Sequence, residues 1–86
     1  MIAIPPSERV TVREAAELVD VNESTVRRWC DKFKIGVKPI AGGWEAPGWR
    51  VSLPAVRMIA AEDWDSLNMF LKGERTDPQV RQYIPH

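Results

Sequence analysis

The chain has 86 residues, 44% of them hydrophobic and 28% charged, which suits a small folded unit and excludes a disordered tail. Twelve basic side chains balance twelve acidic ones, so a uniformly basic, histone-like DNA binder is excluded as well. The longest apolar runs, residues 1–4 and 58–61, fall far short of the roughly 20 residues needed to cross a bilayer.

In chain order, residues 1–10 read as an extended arm after the double proline Pro5-Pro6, packed through Ile2, Ile4 or Val10. The same prolines interrupt any secretory apolar core, which makes a cytoplasmic location the expectation. Thr11-Val12-Arg13-Glu14 is a capping box that predicts a helix to about Val19. Val12, Ala15, Ala16, Leu18 and Val19 form its apolar stripe, and the two alanines leave room for a close helix crossing. Asp20-Val21-Asn22 breaks the pattern. Asn22 is a good N-cap for a second helix over 23–33, whose inner face is Val26, Trp29, Cys30 and Phe33. Its outer face carries Glu23, Ser24, Arg27, Arg28 and Asp31. Trp29 and Cys30 read as core, and Gly36 can end the helix or the turn after it.

Residues 37–40 read as a short strand weakened by Pro39, residues 41–48 as a glycine-rich loop, and 49–51 as a second strand. Together they predict a hairpin with a long tip around Gly42, Gly43 and Trp44. Ser52 can cap a third helix with Pro54 in its first turn, buried through Val56, Ile59 and Ala60. Asp63 or Asp65 caps a fourth, bearing Leu67, Phe70 and Leu71 and closed by Gly73. Thr76-Asp77-Pro78 starts a last short helix that packs through Val80, Tyr83 and Ile84.

The balanced net charge is unevenly spread. Residues 1–26 hold two basic and five acidic side chains. Residues 27–57 hold seven basic side chains against Asp31 and Glu45, and residues 58–86 hold three against five acids. A basic middle third suits a face that meets a polyanion; the plainer alternative is a mixed, solvated surface.

Helix, tight turn, helix, hairpin, helix is an order that resembles the DNA-binding start of MerR-type regulators and phage excisionases. Ala16 matches the family's small residue within the first helix, Val21 the apolar residue after the turn, and Val26 and Trp29 the anchors of the second helix. The run Asn22-Glu23-Ser24-Thr25-Val26-Arg27-Arg28-Trp29 is similar to the family's second helix. Gly48-Trp49-Arg50-Val51-Ser52 is similar to the exit of its wing. The resemblance covers about residues 10–60. It departs at Asp20, where the family usually has glycine, and at the wing tip, where Trp44, Glu45 and Pro47 stand in place of basic residues. It implies a mainly α fold with a small β-hairpin, a winged helix-turn-helix spanning 1–86. Its parts are a helix-turn-helix at 10–33, a wing at 35–52 and C-terminal helices at 53–86.

The resemblance implies double-stranded DNA as the partner. Ser24 and Arg27 fall where base contacts are made, and Arg28 can take a base or a phosphate. Asn22 and Thr25 read as caps and phosphate donors, and Lys32, Lys34 and Lys38 as phosphate contacts that position without specifying. Arg50 is a candidate for the adjacent minor groove. The plainer reading of Arg27 and Arg28 is solvated surface paired with Glu23 or Asp31. The implied job is excisionase-like: an architectural factor that bends DNA near attachment sites, with an integrase or neighbouring copies as partners on DNA. MerR regulators add a long dimerisation helix that this sequence does not display. A small transcriptional regulator, a terminase-type DNA-recognition subunit and, from another class, a protein-interaction adaptor are the alternatives.

Enzymatic readings find little support. Gly42-Gly43 lacks the spacing and lysine of a phosphate loop. One cysteine and one histidine, Cys30 and His86, make neither a disulfide nor a zinc site. The acids at 62–65 serve a helix start. No cofactor, small-molecule ligand or membrane association is expected.

Overall fold

The computed structural model describes residues 4–37 and 50–84. Its first element differs from the expected arm. Ile4 is buried, Pro6–Glu8 form a 3-10 turn, and Arg9–Thr11 form strand β1. Ile2 lies outside the described residues. The Arg9 guanidinium (Nη2) donates to the Ile4 carbonyl at 2.8 Å and holds the start of the chain against the body.

Thr11 then caps helix α1, Val12–Val19, with the expected box. The Glu14 N–H donates to Thr11 Oγ1 at 3.0 Å, and the Thr11 N–H donates to Glu14 Oε1 at 3.3 Å. Losing such a cap typically costs about 1 kcal/mol. Asp20 closes α1 in the left-handed region at φ 58°, and the Val21 N–H returns to the Ala16 carbonyl at 2.9 Å. The aspartate thus does here what glycine does at the turn it resembles. Ala15 and Ala16 are buried, and over them α1 packs directly on α2, Glu23–Phe33.

Two further strands, β2 at Gly36–Val37 and β3 at Arg50–Ser52, complete a three-stranded sheet in the order β1-β3-β2. All pairs are antiparallel, with Val51 opposite both Val10 and Gly36. Ser52 caps α3, Leu53–Ala60, by accepting from the Ala55 N–H at 3.4 Å, and Pro54 sits in the first turn where its missing N–H is harmless. Asp63 caps α4, Trp64–Leu71, and Asp77 caps the short α5, Pro78–Arg81. Val26, Cys30, Ile35, Val51, Val56, Met58, Leu67 and Val80 meet in one core, so α3, α4 and α5 fold back onto the first two helices. The fold is a mainly helical winged helix-turn-helix, with one more strand than the expected hairpin.

Several expectations are corrected. Leu18 is 55% exposed, because it lies about 110° around α1 from the centre of the face formed by Val12, Ala15, Ala16 and Val19. Trp29 is half-buried at the edge of the core, not within it. Lys34, at φ 57°, closes α2 by donating its N–H to the Cys30 carbonyl at 3.0 Å, while Gly36 already belongs to β2. Trp64, at the start of α4, is a further apolar side chain that does not pack inward. It stays 44% exposed and stacks on Phe33 instead, ring centroids 5.7 Å apart. The expected tip around Gly42, Gly43 and Trp44, together with Lys38 and Trp49 of the strands flanking it, lies outside the described residues.

One long-range tie went unseen in the sequence. Glu8 is buried, and Arg75 Nη2 donates to its Oε2 from the loop between α4 and α5. The Arg75 guanidinium also lies 5.3 Å over the Phe70 ring. Glu8 Oε1 has no hydrogen-bond partner among the described residues.

Candidate nucleic-acid interface

Helix α2 buries Val26 and Cys30 and turns its other side outward. At 100° per residue, Ser24, Arg28 and Asp31 point directly away from the core, with Arg27 and Lys32 on the flanks. All five are exposed. Eleven residues make a rod about 16 Å long. Asp20, which ends α1 two residues before the Asn22 N-cap, and Lys34, which ends α2, are both left-handed and turn the chain sharply before and after the rod.

The expected site residues divide into three groups. Ser24, Arg27 and Arg28 share the outward side of α2, as predicted, and Arg28 makes no ion pair among the described residues. Arg27 carries the pairing its plainer reading foresaw: Nη2 lies 3.3 Å from Glu23 Oε1, one turn back. An exposed i,i+4 pair of this kind contributes only about 0.3–0.5 kcal/mol, so it yields readily to a stronger partner.

Around the ends of α2 the picture changes. Asn22 occupies the N-cap position at φ −75°, ψ 151°, but its side chain makes no capping bond, correcting the expected cap. Only its carbonyl serves the helix, accepting from the Thr25 and Val26 N–H groups at 3.0 and 3.3 Å. Its side chain is exposed. Thr25 is half-buried on the flank of α2. At the far end, the Lys32 ammonium lies 5.4 Å over the Phe33 ring, and Lys34 is exposed beside it.

The third group belongs to the wing. Arg50 is half-buried on the central strand β3, opposite Thr11 and Val37, and so stands at the stem of the wing. Lys38 lies outside the described residues.

This surface also carries acidic residues, two of which, Glu23 and Asp31, were expected on the outer face of α2. Both are exposed on α2, each one turn from Arg27, with Asp31 on the outward side and Glu23 on the flank that Arg27 shares. Beside the start of α2 an open cleft of about 440 Å³ is lined by Arg13, Ala16, Glu17, Asp20, Val21, Asn22 and Glu23. Three of these carry carboxylates, and Arg13 is already paired with Glu17 at 3.5 Å. Their common signal in the sequence was the −3 balance of residues 1–26, which tells nothing of where the charges gather.

Cys30 fits its expected structural role. Burial first, and the neighbouring Asp31 charge second, push its thiol up to about 11, which keeps it protonated near neutral pH. Among the described residues no helix is long and apolar enough to cross a membrane.

Comparison with protein families agrees with this geometry. A family described as a helix-turn-helix domain matches residues 7–45, somewhat under half of the chain, covering β1, α1, α2 and β2. That match supports DNA binding as the broad function. No curated protein and no solved structure matches the chain.

Proposed function

We propose that the chain is an excisionase-like architectural DNA-binding factor, which reads a duplex with α2 and steadies itself on the backbone with the wing. The observation that carries DNA reading is the outward face of α2, where Ser24, Arg27 and Arg28 stand exposed on a rod that fits a major groove. The architectural role draws on the resemblance of residues 10–60 and on the way α3, α4 and α5 pack back into the core. Those helices, of eight, eight and four residues, give the described part no projecting arm for a dimer.

The test measures binding to duplexes drawn from the surrounding genome across a salt series, then the bend angle at the best site. Affinity should fall steeply with salt as counterions are released, and the bound duplex should be bent. Binding to straight DNA as a stable dimer on paired half-sites would replace this reading with a transcriptional regulator. No salt-dependent binding to any duplex would leave the protein-interaction adaptor.

A further inference from the structure

We infer that Glu23 is a specificity-determining residue beside the DNA-reading face: it makes the neighbourhood of Arg27 unfavourable for phosphates and rejects duplexes that offer its carboxylate no donor. The inference rests on the DNA-reading role of α2 proposed above. Its starting point is the 3.3 Å contact between Arg27 Nη2 and Glu23 Oε1 on the exposed side of the helix.

The two side chains are four residues apart, which is about 6 Å along α2. Successive base pairs are about 3.4 Å apart, and the guanidinium and carboxylate tips are 3.3 Å apart, so the two groups face neighbouring base pairs of one groove. The guanidinium supplies donors, for which the O6 and N7 acceptors of guanine are the natural match. The carboxylate supplies only acceptors. In the major groove it can be satisfied by the amino group of cytosine or adenine, whereas guanine and thymine oxygens repel it.

A buried carboxylate without a donor is costly, so a wrong base at this step is penalised as well as unrewarded. Phosphates repel it too. Asp20 and Glu17 line the cleft beside it and add to the local negative charge, so this end of α2 is a poor seat for backbone contacts. The weak tie to Glu23 does not hold Arg27 back, but the negative charge around it disfavours a phosphate there and leaves Arg27 to a base edge. The result is a helix end that weakens binding to DNA in general and concentrates affinity on sequences with a donor in the right place.

Site selection from randomised duplexes would be run on the wild type and on Glu23→Gln, Glu23→Asp and Arg27→Ala, with affinity for random-sequence duplex measured alongside. Glu23→Gln should bind random duplex more tightly than wild type, while its ratio of specific to random affinity falls about tenfold. Its selected sites should lose the preference at the step next to the one that Arg27→Ala abolishes. Glu23→Asp keeps the negative charge at the start of α2 but shortens the reach to Arg27 and to the base. It should therefore lose specificity like Glu23→Gln.

A purely structural Glu23 gives a different pattern: Glu23→Asp matches wild type, and Glu23→Gln loses thermal stability with unchanged selected sites. That pattern overturns the inference while leaving DNA reading intact. A wild type that binds no duplex in a salt-dependent way overturns both readings together.

Discussion

Lys34 carries two opposed consequences in one side chain. Its backbone at φ 57°, ψ 42° is a conformation that costs an L-residue with a Cβ about 1 kcal/mol or more, and glycine little. Its ammonium is exposed at the foot of the reading helix. Lys34→Gly should therefore raise stability by about 0.5–1 kcal/mol in chemical denaturation, after allowing for glycine's freer unfolded chain. The same variant should bind every duplex more weakly and lower the salt slope by about one unit. Opposite signs in the two measurements would identify a phosphate contact held in a strained turn; a sequence-dependent loss would argue for base contact instead. The strain could not be read from the sequence, because Gly36 two residues later offered the more natural stop. Asp20 was more legible. An aspartate at a position that resembles a glycine turn tolerates the left-handed region, and φ 58° is what the chain adopts.

At the scale of elements, the helix starts were the clearest part of the sequence. A cap involves neighbours only: Thr11 with Glu14, Ser52 with Ala55, Asp63 with Ser66, Asp77 with Gln79. What each cap does for distant elements was not visible. Asp63 accepts from the Ser66 hydroxyl at 2.7 Å and also, across 16 and 20 residues, from Gln79 Nε2 and the Tyr83 hydroxyl at 3.0 Å each. It thereby fastens α5 to the start of α4. Chiefly the Ser66 hydroxyl, and then its other donors, hold the Asp63 carboxyl below the ordinary range. Its contribution to stability is accordingly present above the unfolded value, about 4, and is lost as pH falls through the lower folded value. Unfolding midpoints of wild type and Asp63→Asn should converge in that acid window. Tyr83 gives a second readout. Burial first, and the bond to Asp63 second, raise its phenol above the usual value. Spectroscopic titration of this single tyrosine should show a lower pKa in Asp63→Asn; an unchanged titration would mean that α5 is held by something else. Strand β1 shows the complementary failure. Its three residues give no periodicity, and its partner β3 lies some 40 residues away.

For the whole molecule, the division of labour was legible and the ties between its ends were not. Apolar spacing marked most of the core face of the helices. On α3, however, the expected Ala60 is exposed while Ala55 and Met58 are buried. Leu18 and Trp64 likewise show that an apolar side chain near a stripe need not be inside it. The Glu8–Arg75 ion pair spans 67 residues and joins two segments that no local pattern relates. Because α3, α4 and α5 are spent on the core, free protein should sediment as a monomer at micromolar concentration. Self-association should appear only on DNA, where the acidic balance of residues 58–86 can meet the basic middle third of a neighbour. A stable dimer without DNA would contradict this. The closed ends of α2 have one more consequence. Between Asp20 and Lys34 the helix can neither lengthen nor shorten by a residue without turning its outer side chains by about 100° against the core. Drift in length is thus barred, and new target sequences become accessible only by exchanging the few outward side chains in place, like type set in a fixed frame.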